Sequence, residues 1–299
     1  MFDRVLVIGN GFDLDMGYHT SYSDFMSWLS SQKGKEVFNS HLYLHLKRQH
    51  DLHNWIDIEN ELKNYSESLN PYRPGVTAGD ISGINKKLES FRDEYNEICT
   101  LLKEYLSIQQ EEIMNPDKIN RSKASKLLSM YSYHDRSLLI SFNYTNFISN
   151  SSKFKVHHVH GNLKGETFVF GIEDDANVIK PHSFLYKSHN PGLNVNRMYE
   201  MLDNAKEITF FGYSLGQTDH SYFDDFFKRQ STDQCKRKCF IFYYYGEEAY
   251  DDLFWQLRTL TGKRMAKFKQ FNEIHFIDIK KDDILDPSQF TSRRGVGSY

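Results

Sequence analysis

Met1-Phe2-Asp3-Arg4-Val5-Leu6-Val7-Ile8-Gly9-Asn10-Gly11-Phe12-Asp13-Leu14-Asp15-Met16-Gly17 is the stretch whose reading decides the fold. Val5 to Ile8 is an unbroken, β-branched apolar run, the pattern of a strand buried on both faces of a parallel sheet. Gly9 and Gly11 follow at once, and without a Cβ they let the chain turn sharply and bring main-chain N–H groups close to an anion. This is the front half of a dinucleotide-binding turn; the third glycine of the full fingerprint is replaced by Leu14. A glycine-rich turn that binds nothing is the competing reading of the same residues.

The chain of 299 residues has room for one large α/β domain or two small ones. A net charge of −3 gives no global basic surplus for nucleic acid. No apolar run reaches the roughly eighteen residues that span a bilayer, and the start of the chain does not have the form of a signal peptide. The expectation is a cytoplasmic protein without a membrane partner. Cys99, Cys235 and Cys239 form no CxxC pair, which argues against a disulfide framework; Cys235 and Cys239 could share a helical face.

Moving outward, Ser21 with Asp24 three residues on reads as a helix start. From 32 to 135 the pattern is helical, broken at Asn70-Pro71 and ended at Asn115-Pro116, with a long helix from Ile81 to about Met114. Within it, Trp55 to Glu61 places acids beside an aromatic; Glu59 is either a solvated edge or a group reaching the nucleotide site. Strands resume at Ser137–Ser141, Lys155 onward, Glu207–Phe211, Phe240–Tyr245 and His275–Ile279. The expected fold is α/β: a Rossmann-like parallel sheet made by 1–31 and 136–285, a helical insertion at 32–135, and a flexible tail at 286–299.

Polar residues just past the carboxyl ends of parallel strands sit where open α/β sheets bind ligands, which marks Asn143 and Thr145. His157, His158 and His160 lie close together, with His158 and His160 on one face of a strand. No carboxylate or cysteine stands at ligand spacing, so no metal is expected, and His160 before Gly161 is better placed as a general base. Thr218 or Asp219 would cap the helix after the fourth apolar run. Gly212-Tyr213-Ser214-Leu215-Gly216 also matches a serine nucleophile elbow, with Asp251 or Asp252 and His275 in order behind it.

Five ordered motifs together resemble the abortive-infection AbiH family of bacterial anti-phage proteins. They are Ile8-Gly9-Asn10-Gly11-Phe12-Asp13-Leu14, Thr20 to Phe25 including Tyr22, Phe142-Asn143-Tyr144-Thr145, His158-Val159-His160-Gly161 and Phe211 to Tyr222. More distantly, their order is similar to the sirtuin-like NAD-binding fold. That resemblance implies NAD as ligand or substrate, with Asn143 and His160 as the catalytic pair. It implies Gly9, Gly11 and Asp13 on the phosphate and ribose side and Gly212, Ser214 and Asp219 on the opposite wall, with Asn10, Phe12, Thr145 and His220 as further binding residues. Glu59, His158 and Tyr22 stand behind these. Thr145 replaces a sirtuin Asp, and no zinc ribbon is present, so protein deacylation is not implied.

The function that follows is cleavage of the nicotinamide–ribose bond: His160 as base, Asn143 orienting a hydroxyl or water, and the Gly9 and Gly11 amides on the pyrophosphate. A nuclease effector acting on RNA or DNA, or a nucleotide sensor without catalysis, are the alternatives. The partners expected are a nucleotide, a phage-derived trigger or a neighbouring defence protein, and a second copy of the chain.

Overall fold

The computed structural model describes residues 2–32, 36–54, 56–112, 121–146, 155–165 and 167–285. Trp55, the helix end at Asn115-Pro116 and the tail from 286 fall outside them. The chain runs β1 (Arg4–Ile8), α1 (Asn10–Asp15), α2 (Tyr22–Ser31), α3 (His41–His53), α4 (Ile58–Ser68), α5 (Ala78–Glu112) and α6 (Lys123–Ser132). It continues through β2 (Ser137–Ser141), β3 (Lys155–His158), α7 (Met198–Asn204), β4 (Glu207–Phe211), α8 (Asp224–Gln230), β5 (Cys239–Tyr244), α9 (Gly246–Leu260), α10 (Met265–Phe271) and β6 (Glu273–Asp278).

Two compact units divide the chain: residues 1–18, 113–159 and 194–299 in the first, and 19–112 with 160–193 in the second. The first holds a six-stranded sheet in the order β3-β2-β1-β4-β5-β6, with every neighbouring pair parallel. This is the Rossmann strand order. Val5 to Ile8 are buried on both faces because helices cover both. One face packs Leu6, Ile8, Leu139, Phe211 and Ile241 against Phe12 of α1, Met16 just after it, and Leu127 and Tyr131 of α6. The other stacks Phe210 on Phe242 at 4.9 Å and sets Phe240 against Phe227 of α8 and Phe268 of α10. Aromatic pairs of this kind add to the area they bury, so the high aromatic content of the sequence is core material.

The second unit is helical, and α5 is its spine. Phe91, Tyr95, Ile98, Leu102 and Tyr105 recur at helical spacing and are buried. Ser21 caps α2 in a full capping box with Asp24. Glu94 of α5 accepts from the Leu42 N–H at 2.8 Å, meeting one of the orphan donors at the start of α3. The fold is thus α/β and Rossmann-like, with a large helical segment.

Candidate functional site

The switch point of the sheet lies at β1: the chain leaves it for β2 on one side and later crosses to β4 on the other. Open α/β sheets bind ligands outside the carboxyl ends of strands at such a point. The glycine turn stands there, but its glycines serve packing. The Gly11 N–H donates to Gly212 O at 2.8 Å, and the Gly9 N–H to Phe211 O at 3.4 Å. A Cβ on Gly11 would lie 2.7 Å from Gly212 Cα, and one on Gly9 would lie 2.6 Å from the Tyr213 ring. Gly212 has φ +60°, and a side chain there would meet Phe12 N at 2.1 Å. The expectation that the Gly9 and Gly11 amides cradle a pyrophosphate is therefore corrected: both amides are already engaged by the exit of β4.

What the turn does deliver is Asp13. α1 buries Phe12 and Asp13 and leaves Asn10 exposed. The Asp13 carboxyl is held by two residues from the exit of β2. Asn143 Nδ2 donates to Asp13 Oδ1 at 2.8 Å and to Gly9 O at 2.9 Å, and Thr145 Oγ1 bonds Asp13 Oδ2 at 2.6 Å. Burial outweighs both hydrogen bonds and pushes the Asp13 carboxyl up to about 7. Tyr18, whose N–H donates to Asp13 O at 3.0 Å, is pushed up to about 12 by burial and then by Asp13.

Asn143 is supported from behind. Its N–H donates to Ser141 Oγ at 3.2 Å, and the His158 ring bonds its main-chain carbonyl. His158 Nδ1 is buried without a partner among the described residues, and burial lowers this imidazole, which favours the neutral form. His157 points elsewhere, its Nε2 within 2.7 Å of Asn194 O. Beside the turn, Phe142 stacks on Tyr213 at 4.4 Å, and the Tyr213 hydroxyl donates to Asp219 Oδ2 at 2.9 Å. Tyr213 and Tyr18 carry no signal in the sequence beyond their neighbourhood to the glycines.

Other expectations change. The expected cap by Thr218 or Asp219 is not made: α8 starts after Phe223 with no side-chain cap, and Asp219 accepts from Tyr213. His220 Nε2 bonds Leu215 O at 3.0 Å, closing the loop on itself. Ser214 is exposed beyond β4, whereas the strand register sets His275 level with Ile241 and Thr209, two strands away and short of the carboxyl edge. His275 Nε2 is moreover 3.0 Å from Glu273 Oε1, so the hydrolase triad is not assembled. Cys235 lies in the turn before β5 and Cys239 on β5, so they share no helix. Among the described residues, one group of three metal-capable side chains converges, Cys239, Glu273 and His275, with ligand atoms within 4.8 Å of one another.

The second unit carries His160, Tyr22 and Glu59. His160 is buried, its carbonyl accepts from the Val169 N–H at 2.9 Å, and Gly161 beside it has φ +74° with Thr167 O where a Cβ would stand. Glu59 is not a solvated edge. Its Oε2 pairs with Lys187 Nζ at 2.9 Å and its Oε1 accepts from the Tyr22 hydroxyl at 3.3 Å, while Glu173 lies 3.7 Å from the same ammonium. All three charged groups are buried, and Lys187 gave no signal in the sequence.

The profile of the bacteriophage abortive infection AbiH family matches residues 5–243. The chain belongs to the AbiH family. The match runs from the first buried residue of β1 to Tyr243 of β5, so it takes in Asp13, Asn143, Thr145 and His160. Membership of AbiH places the chain in phage abortive infection. No curated protein matches it. Among the described residues, no helix of this AbiH chain is long and apolar enough to cross a membrane.

Proposed function

We propose that this AbiH chain is an abortive-infection effector that binds NAD at the carboxyl edge of its sheet and hydrolyses the nicotinamide–ribose bond. The observation that carries the reading is the meeting of Asp13, Asn143 and Thr145 at the switch point of a sheet in Rossmann order. Breaking the glycosidic bond develops positive charge at the ribose carbon. The reaction gains from oriented dipoles and from a water or hydroxyl held in line. Asn143 is the residue that orients such a group, and its own amide is fixed on both N–H sides. The base expected from the sequence is His160, and loss of a general base lowers turnover about a hundred- to ten-thousand-fold.

The deciding experiment follows nucleotide pools by mass spectrometry in cells expressing the wild type, Asn143→Ala and His160→Ala. Falling NAD with rising ADP-ribose and nicotinamide, absent in both variants, supports the reading. An undiminished NAD pool with degraded cellular RNA would replace it with the nuclease alternative. Calorimetric binding of NAD without product would replace it with a nucleotide sensor.

A further inference from the structure

The donors and acceptors around Asn143 constrain what it can offer a ligand. Gly9 O is an acceptor only, so the side-chain atom 2.9 Å from it must be the amide nitrogen. The same nitrogen reaches Asp13 Oδ1 at 2.8 Å. A primary amide has two N–H groups, and both now have partners. Among the described residues, no donor reaches the other end of the amide, Oδ1. The usual ambiguity of an Asn flip is thus removed by chemistry, since turning the amide over would set its oxygen against the carbonyl of Gly9.

We infer that Asp13 is the positioning residue of this site: braced by Thr145, its carboxyl locks the Asn143 amide so that only the carbonyl oxygen Oδ1 faces a ligand. The group met there must be a hydrogen-bond donor, an alcohol or a water, and not a phosphate oxygen. This sets the polarity of the site and rests on the nucleotide reading for its functional consequence. Thr145 makes the lock tolerant of proton uptake. When Asp13 is ionised the Thr145 hydroxyl donates to Oδ2, and when Oδ2 carries a proton the hydroxyl turns and accepts, leaving the Asn143 bond to Oδ1 in place either way. Asp13 is buried, and its burial-raised proton affinity near neutrality means that both forms occur in use. An isosteric Asn at 13 reproduces the protonated arrangement, because its oxygen accepts from Asn143 and its amide donates to Thr145.

The test uses the full chain without ligand first. Hydrogen exchange of the Asn143 side-chain amide protons, followed by 15N NMR, should show both protected in the wild type and in Asp13→Asn. In Asp13→Ala and in Thr145→Val one proton should exchange about tenfold faster, the effect of losing or loosening one hydrogen bond. NAD consumption is then read on the same proteins, with Asp13→Asn restoring most of what Asp13→Ala loses. Unchanged protection in both Asp13→Ala and Thr145→Val overturns the inference whatever the protein does to NAD. So does an Asp13→Asn protein that keeps amide protection yet loses NAD consumption, because Asp13 would then act by its own charge. Should Asp13→Ala not fold, Thr145→Val and Asp13→Asn carry the same comparison. Protection that behaves as expected in a wild type that neither binds nor consumes NAD sinks the NAD reading and leaves the positioning role standing.

Discussion

Thr145 Oγ1 stands 2.6 Å from Asp13 Oδ2, and among the described residues it is the side-chain partner of that carboxyl able to exchange donor for acceptor. The stability of the protein should therefore follow the charge on Asp13. Its carboxyl rises from the ordinary 3.8 to about 7 in the folded chain, so the folded state holds a proton that the unfolded state releases. That contribution is complete below about pH 4 and is lost as pH rises through 7; the Tyr18 hydroxyl, raised to about 12, stays neutral throughout. Asp13→Asn should match the wild type near pH 4 and exceed it above pH 7 by up to about 4 kcal/mol, from roughly three pH units at 1.36 kcal/mol each. Urea unfolding at pH 4.5 and pH 8 measures the difference, and a gap that does not widen with pH speaks against it.

Gly212→Ala should damage the first unit far more than an ordinary core overfill. The new methyl would stand 2.1 Å from Phe12 N, and the backbone at φ +60° strains any residue with a Cβ. Overpacking alone costs about 1–3 kcal/mol, and here backbone cannot yield. Gly11→Ala, 2.7 Å from Gly212 Cα, should behave alike. Gly75→Ala is the internal control: it also has positive φ but nothing within 4 Å, so its penalty isolates the backbone term. Midpoints of denaturant unfolding that rank Gly75→Ala with the other two would contradict the interlock.

Lys187→Met should destabilise the second unit by about 3–5 kcal/mol, the typical loss when one member of a buried ion pair is removed. Its departure removes the ammonium that both the Glu59 and Glu173 carboxylates face in their buried positions. Lys187→Met combined with Glu59→Gln should recover part of that loss. Trp28, 5.3 Å from Tyr105 within the same unit, reports the transition by fluorescence. Equal destabilisation by the single and double variants would mean that the ammonium acts by packing alone.

Acid should also be felt at His182. This imidazole is buried, its Nδ1 is 2.7 Å from Ser66 Oγ, and burial lowers it to about 4. The unfolded chain takes up its proton first, so stability from this group is present above about 6.5 and is lost as pH falls through 4. His182→Phe should flatten the acid limb of a stability–pH curve, and an unchanged limb would show that other groups set it.

The central strands were legible because each is a short apolar run ended by a turn signal, whereas β3, Lys155–His158, was legible only from its alternation. The Ser21 cap and the break at Asn70-Pro71 were legible for the same local reason. Asn143 and Thr145 could be picked from their place after a strand, but their shared partner could not. Asp13 meets them across about 130 positions of sequence, and no local pattern encodes such a meeting. The glycines misled: two glycines after a strand suit an anion cradle or a close backbone crossing equally, and only Gly212 decides which. The pairing of Glu59 with Lys187 was hidden because a charged residue reads as solvated unless its partner is known.

The pairing of β1 with β2 on one side and β4 on the other sets a schedule for synthesis. The first strand leaves the ribosome long before Glu207–Phe211, the run that completes its second edge, has been translated. At about 5–20 residues per second that wait is roughly ten to forty seconds. A nascent or truncated chain that stops short of it has an open sheet and no partner for Gly11 at residue 212, so the edge assembles only after β4 has been made.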